Sequence, residues 1–205
     1  MKLLKSIEKI CMQNLRKWKT DYRIRAISVS VLVILWIYID DMNRIAEGIG
    51  STMPVWIYPF LYSQFHTKLI FTLPVVLFFC NAPFIDSNQI FVFMRSGRIR
   101  WLVGQMLYVA AASGIYYIFL LAASLLSSAA AGGEISLGWG KTLTTAANSN
   151  AALYFGSPFI SVSSIITTHF SSLSAVWFTF LLSWLCGVMI GLIIFSATLL
   201  REQGF

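Results

Sequence analysis

The sequence predicts an all-α fold: a polytopic helical membrane protein of about four transmembrane helices, preceded by an amphipathic helix at the membrane interface. Three observations predict it. Hydrophobic residues make up 58% of the 205-residue chain and charged residues only 11%, whereas a soluble domain carries about 25% charged residues. That much apolar surface calls for a bilayer as solvent. Long charge-free runs recur along the chain, broken by short stretches rich in glycine, proline and charge. The basic residues are also placed unevenly. Eight of the fifteen Lys and Arg lie within residues 1–25, Arg95, Arg98 and Arg100 follow in one cluster, and Arg201 lies near the end. Only Arg44, Lys68 and Lys141 fall elsewhere. This is a topology signal rather than a nucleic-acid footprint, and no nucleic-acid partner is expected.

Residues 1–22, MKLLKSIEKICMQNLRKWKTDY, form the interfacial helix. At 100° per residue, Leu3, Leu4, Ile7, Ile10, Cys11, Leu15, Trp18 and Tyr22 fall within an arc of about 140°. Lys2, Lys5, Lys9 and Arg16 cluster on the opposite side, toward anionic headgroups, and Trp18 sits at the boundary between lipid and water. The alternative is a basic flank that merely orients the first span. A cleaved signal peptide does not fit, because the positive region is long and no A-x-A-like site follows.

The first span covers about residues 23–45. Its charge-free core, AISVSVLVILWIYI, reaches about 21 Å, short of the roughly 30 Å hydrocarbon core, so the helix continues through Asp40 and Asp41. Those acids then sit at the far interface or face a wet interior. Gly48, Gly50, Pro54 and Pro59 mark 46–66 as a loop, whose WIYPFLY run lies on the membrane surface through its aromatic rings. The second span covers about 68–85, with Pro74 as a kink. The third covers about 101–127. Residues 128–172 read as an external loop: 142–168 alone holds twelve Ser, Thr and Asn, plus Gly156 and Pro158. Irregular polar backbone of this kind is costly in lipid. The last span covers about 173–200, and its Gly187 and Gly191 form a G-x-x-x-G that lets another helix approach closely. The whole is one transmembrane domain, residues 1–205. Four spans put the N-terminus, residues 86–100 and the C-terminus in the cytoplasm.

The stretch NAPFIDSNQIFVFMRSGRIRW, residues 81–101, separates the second and third spans. Asp86 or Ser87 caps a short helix, with Gln89 three residues after Asp86 in a capping-box arrangement, and Gly97 stops it. Ile90, Phe91, Phe93 and Met94 are more apolar than a solvated connector requires, and aromatic, Met and Arg residues are what protein interfaces favour. The plain alternative is a short interfacial helix whose Arg95, Arg98 and Arg100 act only as topology signals.

NAPFIDSNQIFVFMRSGRIRWLVGQMLY resembles the first cytoplasmic loop of bacterial permease subunits of the type 2 ABC exporter class. The similarity continues through TTAANSNAALYFGSPFISVSSIIT and SSLSAVWFTFLLSWLCGVMIGL, so it covers most of the chain, in loose patterns of small and aromatic residues. It implies a membrane subunit without an ATPase domain, in the bacterial cell membrane, and not itself an enzyme. ATP and Mg would be bound by a separate ABC ATPase chain, with no cofactor in this one. A second permease chain would complete a homodimer or heterodimer. By the same resemblance residues 86–97 form a coupling helix that docks on the ATPase. Asp86, Gln89, Phe91, Phe93, Met94, Arg95 and Arg98 are then its partner-binding residues. The family usually has six spans, so the chain reads as a truncated, split or shorter relative. The implied function is export of a hydrophobic or amphipathic substrate: a peptide, a lipid-like molecule or a drug. The alternative is a non-transporting interaction, immunity or sensor protein on the same scaffold.

Other chemistry finds little support. Gly140-Lys141-Thr142 looks like the end of a P-loop, but the first glycine of that motif would fall at Ile135. His66 and His169 have no neighbouring carboxylate or thiol, and Cys11, Cys80 and Cys186 show no disulfide or metal spacing. No G-x-S-x-G elbow is present.

Overall fold

Apolar runs with little internal glycine or proline make helices wherever the sequence supplies them. In the computed structural model the elements are α1 (Lys2–Lys17), α2 (Tyr22–Ile49), a 3-10 turn η1 (Tyr58–Tyr62), α3 (Phe65–Phe79), α4 (Arg98–Ala130), α5 (Gly140–Asn148), α6 (Ser164–His169) and α7 (Ser172–Gln203). The structure describes residues 2–80, 97–134, 136, 138–149 and 160–203. Among these the only β-type pairing is an isolated bridge between Pro54 and Glu134.

Three helices have the length and composition to cross a membrane: α2, α4 and α7. The expected fourth, α3, has 15 described residues, about 22 Å of helix, which is less than a hydrocarbon core. Residues 81–85, assigned to the same span from sequence, lie outside the described residues. The long helices carry outward-facing apolar side chains: Val29, Val33, Trp36 and Ile37 on α2, and Trp177, Leu182, Met189 and Ile193 on α7. On a water-soluble chain so much exposed apolar surface would be exceptional. These faces have the character of a lipid-facing surface.

The chain divides into two compact units. The first comprises residues 1–28, 73–116 and 184–205, the second 29–72 and 117–183. Four helices contribute to both: α2 and α4 start in the first and end in the second, and α3 and α7 run the other way.

In the first unit α1 is an integral part of the packing. Ile10 and Cys11 are buried, and Ile10 lies so close to Gly104 of α4 that a Cβ there would sit 2.9 Å from its Cγ2. Gly191 of α7 allows a similar approach: a Cβ would sit 2.5 Å from Val109 and 2.8 Å from the Phe79 ring. One glycine of the G-x-x-x-G is thus used for packing inside the chain. Trp184 donates its indole N–H to the Ala110 carbonyl at 3.0 Å.

The second unit corrects three expectations. The segment 46–66 is not simply a loop, because α2 runs through Gly48 to Ile49 and η1 and the start of α3 follow. The WIYPFLY run is not a surface anchor, since Ile57, Tyr58, Phe60 and Leu61 are fully buried and form part of this unit's core. The expected external loop 128–172 contains α5, α6 and the last turn of α4. Leu143, Thr142 and Ala146 are buried on one face of α5, and that packing overrides the low helix propensity of the Thr and Asn around them. Hydroxyls that compete with the backbone in isolation are absorbed by carbonyls a turn earlier, as in Thr144 to Gly140 at 2.9 Å and Thr168 to Ser164 at 2.8 Å.

Two helices of this unit end in the same way. After α2, Gly50 (φ +70°) donates to the Glu47 carbonyl and Ser51 to that of Ala46. After α4, Gly132 (φ +86°) donates to Ala129 and Gly133 to Ser128. Both are Schellman motifs, which require a left-handed residue that glycine adopts without strain.

Candidate functional site

Several of the residues singled out from sequence belong to the first unit. Lys2 and Lys5 lie on the first turns of α1, and Lys9 and Arg16 are exposed further along it. Arg23, Arg25, Arg98 and Arg100 are exposed at the starts of α2 and α4, and the Arg25 guanidinium lies 4.5 Å from the centre of the Tyr22 ring. Gly97 has φ +81° and directly precedes α4. Asp86, Gln89, Phe91, Phe93, Met94 and Arg95 lie outside the described residues.

Trp18 is half-buried among protein groups. Its indole N–H donates to the Tyr108 hydroxyl at 2.9 Å, and its ring stacks on Phe78 at 5.5 Å. One turn earlier, Asn14 Nδ2 donates to Gln105 Oε1 at 2.9 Å. Both side chains are 1% exposed, so this is a polar pair closed off from solvent, and the Gln105 Nε2 has no hydrogen-bond partner among the described residues. Beside it, burial pushes the Cys11 thiol above its ordinary value, with the nearby Glu8 adding to the shift.

Sequence reasoning missed Asn14 and Gln105, although each carried a signal. Asn14 falls near the middle of the apolar arc of α1, where a polar side chain is out of pattern. Gln105 interrupts a charge-free run of α4, and an amide in such a run commonly marks an interhelical hydrogen bond.

The charge distribution sorts with the units. The sequence of the first contains twelve Lys and Arg against four Asp and Glu, and that of the second contains three against four. In the second unit the one ion pair among the described residues is Arg44–Asp40 at 2.9 Å, on the exposed side of α2. Thr142, the last residue of the P-loop-like triplet, uses its hydroxyl structurally: it donates to the Thr52 carbonyl at 2.6 Å and bonds Ser51 Oγ at 2.8 Å. His66 and His169 are exposed. No group of three or more His, Cys, Asp or Glu able to hold a metal ion occurs among the described residues. No protein-family model, curated protein or solved structure matches the chain.

Proposed function

We propose that this protein is a permease subunit of an ATP-driven exporter in a bacterial cell membrane. It would act with a separate ABC ATPase and a second permease chain on a hydrophobic or amphipathic cargo. The observation that carries the membrane placement is the partition of cations, twelve in one unit and three in the other. By the positive-inside rule the N-terminus, residues 86–100 and the C-terminus are cytoplasmic. That topology makes α3 a fourth crossing. The transport reading rests on the resemblance of residues 81–108 to a permease coupling loop. In this mechanism the ATPase moves the 86–97 segment when it binds ATP. The segment leads directly into α4, which is tied to α1 through Asn14–Gln105 and Trp18–Tyr108.

The test is co-purification, in lipid nanodiscs, with any ABC ATPase whose gene adjoins that of this chain. Wild type retains the ATPase, and Phe91→Asp/Phe93→Asp loses it while still inserting. If wild type does not retain it, the coupling assignment fails. The same scaffold then reads as a non-transporting interaction, immunity or sensor protein.

A further inference from the structure

In the second unit the two Schellman ends are stitched together across an open cleft. The Glu134 N–H donates to the Met53 carbonyl at 2.8 Å, the Thr52 hydroxyl donates to Glu134 Oε2 at 2.7 Å, and the buried Thr142 bonds both Ser51 and Thr52. The cleft between them has a volume of about 490 Å³ and is lined by Gly50, Ser51, Thr52, Pro54, Glu134 and Lys141, among others. We propose that it binds a small zwitterion, with the ligand's ammonium held by Glu134 and its anionic end by Lys141.

Four features lead to this chemistry. Glu134 and Lys141 line one cleft with opposite charges, and neither forms an ion pair among the described residues. Among the described residues only one carboxylate oxygen of Glu134 is engaged, by Thr52, which leaves the other to accept from a ligand. The remaining lining is hydroxyl, glycine and proline, so an apolar ligand finds no large side chain to bury against. A simple anion or a metal cation would meet one like charge, whereas a molecule carrying both charges satisfies the two groups together. The C-terminal end of α2 adjoins the cleft through Gly50 and Ser51, and the partial negative charge there also favours an ammonium. The volume falls within the range of about 300–1,000 Å³ usual for small-ligand sites. The walls are held by hydrogen bonds within the chain, so little reorganisation accompanies binding.

The ammonium-and-anion pair can come from a free peptide or from an ethanolamine headgroup, and the experiment separates them. The intact chain in phosphatidylglycerol nanodiscs, without any ATPase, is titrated calorimetrically with triglycine. Saturable binding is expected. N-acetyltriglycine, lacking the ammonium, and triglycinamide, lacking the carboxylate, are each expected to bind about fivefold more weakly. Glu134→Gln keeps an acceptor for Thr52 but should erase the discrimination against the acetylated peptide. Lys141→Gln should erase that against the amide. If phosphatidylethanolamine discs abolish triglycine binding to wild type, the headgroup occupies the site. If they leave it unchanged, the free zwitterion is the ligand. Absence of saturable binding to phosphatidylglycerol discs, or equal binding of the blocked analogues, overturns the proposal. Because no ATPase is present, this result is independent of the export reading.

Discussion

Asn14 of α1 and Gln105 of α4 meet side chain to side chain at 2.9 Å, 91 residues apart in sequence and each 1% exposed. A helix that only floated on lipid would not need such a partner. The pair shows that α1 is docked on the protein, with its amide specifying the register against α4.

Replacing one member leaves the other buried without its partner, at about 1–3 kcal/mol. Asn14→Leu and Gln105→Leu are each expected to lower the thermal unfolding midpoint in nanodiscs. The double variant should lose less than the sum, because removing both amides removes the unmet desolvation. Strict additivity would show that the bond contributes no coupling.

Gly191→Ala should destabilise through overpacking, by about 1–3 kcal/mol, since the new methyl would sit 2.5 Å from Val109. Val109→Ala opens that side and should recover part of the loss. The readout is the unfolding midpoint of the single and double variants. No rescue would mean that the Phe79 ring alone sets the limit.

The Tyr58 phenol is fully buried, and burial pushes its pKa up to about 12, hydrogen bonds from Ser183 and Tyr62 opposing the shift. An unfolded tyrosine ionises near pH 10. Below that pH both states are protonated and Tyr58 contributes its full stability. Between about pH 10 and 12 the unfolded state loses its proton first, so stability falls as pH rises, by at most about 1.4 kcal/mol per pH unit. Tyr58→Phe should flatten the pH dependence in that window. An unchanged slope would assign the alkaline loss to other groups.

Cys11 is buried with a raised thiol pKa, while Cys80 and Cys186 are exposed. A membrane-permeant maleimide should therefore modify a Cys11-only variant slowly at pH 8. Adding Asn14→Leu, which loosens α1, should speed that modification. An equal rate with and without Asn14→Leu would show that the amide pair does not hold α1 closed over Cys11.

The positive-inside reading predicts opposite sides of the membrane for Lys19 and Lys141. An impermeant maleimide applied to intact cells should label a cysteine at Lys141 and spare one at Lys19. Labelling of both or of neither contradicts the positive-inside assignment.

The sequence by itself determined the all-helical class, the three helices long and apolar enough to cross a membrane, and the charge asymmetry, because hydropathy and charge are summed over many residues and survive local errors. It also flagged the Gly187/Gly191 motif, of which α7 uses Gly191 for its close approach to Val109 and Phe79. Tertiary structure decided what those surfaces touch. The stripe that reads as lipid-seeking packs Ile10 on Gly104 and ties Asn14 to Gln105, since a helix face carries no label for protein or lipid. Likewise WIYPFLY, with its proline and aromatics, has the composition of a surface loop but folds inward as core. The Ser/Thr/Asn-rich segment becomes helical at α5 and α6 because buried faces and carbonyl partners a turn away absorb its polar groups. The cleft lined by Glu134 and Lys141 was least legible of all. Glu134 and Lys141 lie close in sequence, but the wall facing them, Gly50 to Pro54, is brought there from 82 residues away by the Thr52–Glu134 bond, and nothing local in the sequence encodes that meeting.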